Sequence, residues 1–410
     1  MSSEKPIILF TGFEPSGDDH AAAVARELLS RRPGLDIRAW GGPRLKEAGV
    51  QIIQETGKNA VMGVPGLSKI REHRRINADV EQWLDAHKGR VALHVPVDSP
   101  AANFPICEMA KRRGIRVLHL VAPQVWAWGG WRIKKLRRLT DFVCCLLPFE
   151  EAYFSKRGVP ARFVGHPLFD HPLDEASLDA AIAAWPTGEP RVAIMPGSRP
   201  AEIEKNFPLL IAAYRSLAAD YSGIAGAVAA TTPEVAVRVR EIAAATRPAG
   251  AAEADGWPES LEIVIRQTDE TVRWCDIALA VSGTVTLQIA RQLKPMVIVF
   301  RTNRLLYESV ARWLVQTEHF SLPNLIAGEE IVPELIPHFG GSEPILRRVI
   351  ELIENETARQ AQIDAMRTLI VPKFDARSAA QGAADAIERL TGLAEAPRSS
   401  PDPSTDVPRT

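Results

Sequence analysis

Short apolar runs rich in Val, Ile and Leu alternate with longer helical patterns through most of the 410 residues, and that alternation admits few folds. A strand that reads as an unbroken apolar run is buried on both faces, and strands separated by helices pair in parallel. PIILFTG, DIRAWGG, RVALHVPVD, RVLHLVAP, FVCCLLPF and ARFVGHP are the strand candidates of the first half. RVAIMPGS, GAVAAT, LEIVIRQ, IALAVSG and PMVIVFR are those of the second. The fold class is therefore α/β, and a chain of this length divides into two doubly wound, Rossmann-like parallel-sheet domains. Pro167 to Pro190, with HPLFDHPLDE and WPTGEP, marks the boundary as a linker or short excursion. We expect domains over residues 1–170 and 185–371, with helices over about 372–392 packing back on the first. Two such domains leave a cleft at the carboxyl ends of their strands, where ligands of these sheets bind. The tail over 393–410 is too poor in apolar residues to order itself.

Charge and cysteine usage narrow the function. Lys plus Arg number 49 against 50 for Asp plus Glu, so no global field draws the chain to nucleic acid. Cys107, Cys144, Cys145 and Cys275 fall in apolar runs without metal-ligand spacing and read as buried thiols of a reducing compartment. No apolar run reaches the roughly 20 residues of a membrane-spanning helix, and the N-terminus lacks the pattern of a signal peptide. G-x-G-x-x-G, G-x-x-x-x-G-K-[ST], H-E-x-x-H and D-x-D are all missing, which counts against dehydrogenase, P-loop and metal-site readings. No cofactor and no metal are expected.

Strand ends that open into small polar residues stand in their place. IMPGSRPAEIEKNF ends a strand in Gly197-Ser198-Arg199 and starts a helix, so backbone N–H groups, a hydroxyl and a guanidinium converge as an anion site would require. IALAVSGTVTLQ repeats the device with Ser282, Gly283 and Thr284 ahead of the helix carrying Gln288. Either turn alone is as readily structural; two in one domain suit a diphosphate. In the first domain, TGFEPSGDDH places Glu14, Ser16 and Asp18 at a strand end, where Ser16 and Asp18 also suit helix capping. VPVDSPAAN puts Asp98 at another strand end, as a general base or as an ordinary turn residue before Pro100. VWAWGGWRIKKLRRL combines Trp126, Trp128 and Trp131 with five cations, and AVMGVPGLSKIREHRR sets Val61, Met62, Val64 and Leu67 before a basic cluster. Both suit a lipid surface, and both equally suit plain amphipathic packing.

In chain order, EPSGD, AVMG, VWAW, LLPFE, VGHPL, MPGSRPAEIE, SGT and SLPNLIAGEEIVPEL resemble the lipid-A-disaccharide synthase family over roughly residues 6 to 390. The resemblance implies an inverting, metal-independent glycosyltransferase of the GT-B type. It would transfer 2,3-diacylglucosamine from its UDP derivative to 2,3-diacylglucosamine 1-phosphate at the inner face of the cytoplasmic membrane. It gives Asp98 the role of base and assigns UDP-sugar binding to Ser198, Arg199, Ser282, Gly283, Thr284, Gln288 and Asn324 of SLPNL. Glu14, Ser16 and Asp18 become further active-site residues, and Val61, Met62, Val64, Leu67, Trp126 and Trp128 face the membrane or the acyl chains. Dimers occur in the family, which makes a second copy of the chain a candidate partner.

Four departures from the family pattern stand out. Gln288 occupies a position usually held by Glu, and D-A-P-D-F-N has become Asp98-Ser99-Pro100-Ala101-Ala102-Asn103. Phe13 replaces a glycine, and Gly129, Gly130 and Trp131 extend the W-A-W motif. These differences leave open a divergent UDP-sugar transferase with another acceptor, or a catalytically silent relative that binds nucleotide-sugar or lipid.

Overall fold

The computed structural model describes residues 5–56, 67–127, 129–247, 256–304, 307–308, 317–374 and 378–393. The described chain forms two compact units, each an α/β unit around one parallel sheet. The first comprises residues 1–123, 131–170 and 377–410, and the second residues 124–130 and 171–376. The strands of the first are β1 (Ile7–Gly12), β2 (Asp36–Gly41), β3 (Gln51–Glu55), β4 (Val91–Val97), β5 (Arg116–Leu120), β6 (Phe142–Cys145) and β7 (Ala161–Phe163). Their spatial order is β3-β2-β1-β4-β5-β6-β7. The second sheet uses β8 (Arg191–Met195), β9 (Ala225–Ala230), β10 (Leu261–Ile265), β11 (Ile277–Val281), β12 (Met296–Arg301) and β13 (Glu334–His338), in the order β10-β9-β8-β11-β12-β13. All pairings are parallel.

The first unit carries α1 (Pro15–Arg31), α2 (Pro43–Glu47), α3 (Leu67–Ala86), α4 (Pro100–Arg112), α5 (Ile133–Leu139) and α6 (Pro148–Ser155). The second carries α7 (Glu175–Ile182), α8 (Pro200–Asp220), α9 (Pro233–Ala245), α10 (Thr268–Trp274), α11 (Val285–Arg291), α12 (Leu322–Ala327), α13 (Glu343–Glu354) and α14 (Glu356–Leu369). The last helix, α15 (Ala379–Thr391), returns to the first unit. There Ala383, Ala384 and Ile387 join Ala21, Ala25 and Leu28 of α1 in one core. Arg31 pairs with Asp385 at 2.7 Å and Glu388 at 3.1 Å, and Arg32 with Glu388 at 2.9 Å.

Each sheet is built as its sequence period demands. β1 and β11 are buried along their whole length, so their apolar runs pack helices on both faces. α8 buries Ile203, Phe207, Leu210, Ile211, Tyr214 and Leu217, a stripe at helical spacing. Two edge strands lack the apolar-run signal and are absent from the strand candidates. QIIQE of β3 has polar ends and only partial burial, and ELIPH of β13 contains a proline that only an edge strand tolerates. The Pro167–Pro190 stretch is more structured than a linker: α7 packs on α10, with Arg273 gripping Asp179 at 2.7 Å. All four cysteines are buried free thiols, and burial raises Cys144 and Cys275 to about 12.

Burial also holds several histidines neutral. His94 and His119 are pushed down to about 3, and His166 to about 4, with burial the main cause in each. An unfolded chain binds protons at these imidazoles below pH 6.5 while the folded one does not. Their contribution to stability is therefore whole above that pH and is lost as pH falls toward the folded values. Urea unfolding between pH 6.5 and 5 is expected to show a positive slope of stability with pH approaching three protons, about 4 kcal/mol per pH unit at most. A pH-independent midpoint across that window contradicts the neutral buried state.

Candidate active site

Where the strand order of a doubly wound sheet reverses, adjacent crossovers leave in opposite directions and a crevice opens at the carboxyl ends. In the second unit the reversal lies between β8 and β11, and the two predicted turns follow those strands. After β8 the chain passes Gly197 at φ +95°, a conformation that a side chain strains. Arg199 then takes the N-cap position of the 21-residue α8. After β11 the Ser282 N–H is tied to the Val299 carbonyl at 3.2 Å, and Thr286 Oγ1 donates to the Gly283 carbonyl at 2.8 Å. Gly283 and Thr284 are exposed.

These turns border a cavity of about 770 Å³. Gly197, Ser198, Arg199, Ser282, Gly283, Thr284 and Gln288 all line it, so one concavity gathers all the residues assigned from sequence to UDP-sugar binding except Asn324. Its other walls come from further strand ends, including Thr231 after β9, Thr268 at the start of α10, and Phe300 and Thr302 at the end of β12. Tyr307, Phe320 and Leu322 add apolar surface. Sequence reasoning missed this wall, although the general rule that ligands meet carboxyl ends of strands points to each of these positions. Arg199 is 76% exposed along its side chain and pairs with Glu202 at 2.9 Å. A pair this exposed is worth about 1 kcal/mol or less, so the guanidinium is readily given to an anion.

Asn324 does not line the cavity, and the structure corrects its assignment to substrate. Its amide donates to the Val332 carbonyl at 2.9 Å and Glu334 at 3.0 Å, and its Oδ1 accepts from the Ile331 and Val332 N–H groups at 2.9 and 3.0 Å. Glu334 also takes the Phe320 and Ser321 N–H groups. The side chain is spent on holding the loop around Phe320, a cavity residue. Trp126, expected to face the membrane or the acyl chains, is 6% exposed and lines this cavity rather than standing on the open surface. Val61, Met62, Val64 and Trp128 lie outside the described residues, as does the Leu67 side chain. Among the described residues Trp131 is the exposed indole, at 72%.

In the first unit the reversal lies between β1 and β4, and Glu14 and Asp98 follow those two strands. Asp98 (φ +46°) and Ser99 (φ +40°) are consecutive non-glycine residues in the left-handed region. Each such residue costs about 1–3 kcal/mol and persists only where its surroundings dictate it. Three ties do so. Asp98 N–H bonds the Leu120 carbonyl at 3.0 Å, Asn103 Nδ2 donates to the Asp98 carbonyl at 2.8 Å, and Ser99 Oγ donates to Glu14 Oε1 at 2.6 Å. The structure thus brings Glu14 to the Asp98 turn. His20 of α1 lies within electrostatic reach: burial lowers its pKa, against the opposing pull of Asp98, Asp19 and Asp170.

Ser16 is exposed on the first turn of α1, and no side chain caps that helix. Asp18 caps another helix, contrary to expectation. It is 4% exposed and takes the Gly42 and Arg44 N–H groups at 2.7 and 2.8 Å, securing the start of α2. A Cβ on Gly42 would stand 2.5 Å from that carboxylate, which is why a glycine sits there.

Two open α/β units, with anion-suited turns around a cavity in one and a strained carboxylate turn in the other, define the GT-B class. Solved structures share the fold. The UDP-GlcNAc 2-epimerase of Neisseria meningitidis bound to UDP-GlcNAc matches with a TM-score of 0.61 at 12% identity, covering 94% of this chain and 100% of that one. The glycotransferase of kitacinnamycin matches at 0.57 and 14%, covering 94% and 99%. The family model described as lipid-A-disaccharide synthetase matches residues 7–387. The lipid-A-disaccharide synthase of Anaeromyxobacter sp. (strain K) is 36% identical over 88% of this chain and 91% of its own length. That of Coxiella burnetii (strain CbuG_Q212) is 32% identical over 95% and 99%. The chain belongs to the lipid-A-disaccharide synthetase family and is a glycosyltransferase of lipid A biosynthesis.

Asn324→Ala strands several buried partners at once and is expected to cost about 2–4 kcal/mol in urea unfolding. A loss below about 0.5 kcal/mol contradicts its role as a clamp.

Proposed function

We propose that the chain transfers 2,3-diacylglucosamine from UDP-2,3-diacylglucosamine to the 6-hydroxyl of a 2,3-diacylglucosamine 1-phosphate acceptor, forming a β-1′,6 linkage with inversion and without a metal ion. The observation that carries the reading is the cavity in which the two turns beside the β8/β11 reversal meet. Arg199 and the Ser282–Thr284 backbone bind the diphosphate and offset the charge that grows on UDP as it leaves. The amino end of α8 adds its dipole to the same task. Asp98 accepts the proton of the acceptor hydroxyl while that oxygen attacks the anomeric carbon from the face opposite UDP. Gln288 holds the ribose through its carbonyl oxygen, with one neutral acceptor where a carboxylate offers two charged ones.

We also place the protein peripherally on the inner face of the cytoplasmic membrane. No helix among the described residues is long and apolar enough to cross a bilayer. Trp131 and the exposed Lys134, Lys135, Arg137 and Arg138 of α5 supply an indole beside cations, which suits an anionic headgroup layer.

Three measurements check these points. Mass spectrometry of the product is expected to show the disaccharide 1-phosphate, with initial rates lower by about 10²-fold or more in Asp98→Ala; equal rates would remove Asp98 as the base. Calorimetry with UDP is expected to give three- to tenfold tighter binding for Gln288→Glu, and unchanged affinity contradicts the ribose contact. Co-sedimentation with phosphatidylglycerol vesicles is expected to weaken about tenfold in Trp131→Ala combined with Lys134→Gln and Lys135→Gln. Retention of full vesicle binding would move the membrane contact elsewhere.

A further inference from the structure

The strained Asp98 turn is anchored from inside the protein by a chain of hydrogen bonds whose direction can be worked out. Asn103 Nδ2 donates to the Val97 and Asp98 carbonyls at 3.2 and 2.8 Å, so its Oδ1 is the acceptor end of the amide. Thr11 Oγ1 stands 2.6 Å from that Oδ1 and must donate to it. The hydroxyl has one proton, so towards His94 Nε2, 2.9 Å away, it can only accept. His94 is therefore protonated on Nε2, and its Nδ1 lone pair is the buried atom left without a hydrogen-bond partner.

Thr11, His94 and Asn103 are all fully buried, on β1, β4 and α4. A buried acceptor without a partner is costly, and two neighbouring strands and a helix carry this one alongside a pair of left-handed residues. Simple packing would be served at less cost by an apolar side chain in place of His94. We propose that Thr11, His94 and Asn103 form a buried brace that positions Asp98 for proton abstraction, an inference that rests on reading Asp98 as the base. Thr11 and His94 touch no reacting atom; they fix Asn103, and Asn103 fixes the carbonyl of the residue that reacts. The low pKa of His94 is consistent with this, since a neutral imidazole keeps the same donor throughout the working pH range. The Ser99–Glu14 bond secures the same turn from its exposed side.

The test uses the full-length protein, the UDP-diacylglucosamine donor and the monosaccharide 1-phosphate acceptor. Thr11→Val keeps the shape and deletes the hydroxyl, and Thr11→Ser restores a hydroxyl. His94→Phe removes the far donor while filling its space. Thr11→Val is expected to lower kcat by about 10- to 100-fold with donor KM and UDP affinity within twofold of wild type. Thr11→Ser is expected to return kcat to within about threefold, and His94→Phe to lose three- to tenfold. In the Asp98→Ala background, Thr11→Val is expected to cost nothing further, because the residue being positioned is gone. Thermal melts accompany each variant. An unchanged kcat in whichever of Thr11→Val and His94→Phe folds overturns the brace, as does a full extra loss in the Asp98→Ala background. A full rate in Asp98→Ala itself is the separate result that refutes the base, so the two failures are distinguishable.

Discussion

Two reversals of strand order govern this molecule. A parallel sheet wound outward from its middle in both directions must have one place where neighbouring crossovers part, and its backbone ends are exposed there. In the first unit that place lies between β1 and β4, and in the second between β8 and β11. Glu14, Asp98, Arg199 and Ser282 to Thr284 all sit within a few residues of one of these four strands. The sheets are packed and apolar so that these ends can be irregular.

The two units use their reversals differently. The second offers hydrogen-bond donors and a cation, held by Gly197 at positive φ and by the start of a long helix. Those groups suit a diphosphate and need no precise charge state. The first offers a carboxylate on a turn whose backbone runs against residue preference, held by bonds to Leu120, Asn103 and Glu14. Such a turn persists only where its surroundings dictate it, and those bonds are what dictate it here.

The sequence makes most of this architecture legible, because buried parallel strands announce themselves as apolar runs and strand ends as Gly, Ser and Asp. The edge strands β3 and β13 escape because partial burial and a proline erase that signal. Asp18 and Asn324 look like ligand-binding residues from their motifs. Their partners are backbone groups 24 and 8 residues away in the chain, visible only once the turns are folded. Trp126 reads as interfacial from its neighbours, and only tertiary packing shows it buried beside the cavity. The Thr11–His94 contact joins residues 83 apart through strand register, so no local pattern could reveal it.

The chain belongs to the family and departs from its usual pattern at Gln288 and at Asp98-Ser99-Pro100-Ala101-Ala102-Asn103. At those positions Asn103 donates to the Asp98 carbonyl, Ser99 donates to Glu14, and Gln288 lines the cavity. In the proposed reaction an acceptor hydroxyl activated at Asp98 displaces UDP directly. The deciding measurement is the anomeric configuration of the disaccharide formed from the α-linked UDP donor, read from its proton NMR coupling. A β linkage with no α product is expected, whereas an α linkage, or UDP release without disaccharide, would contradict direct displacement.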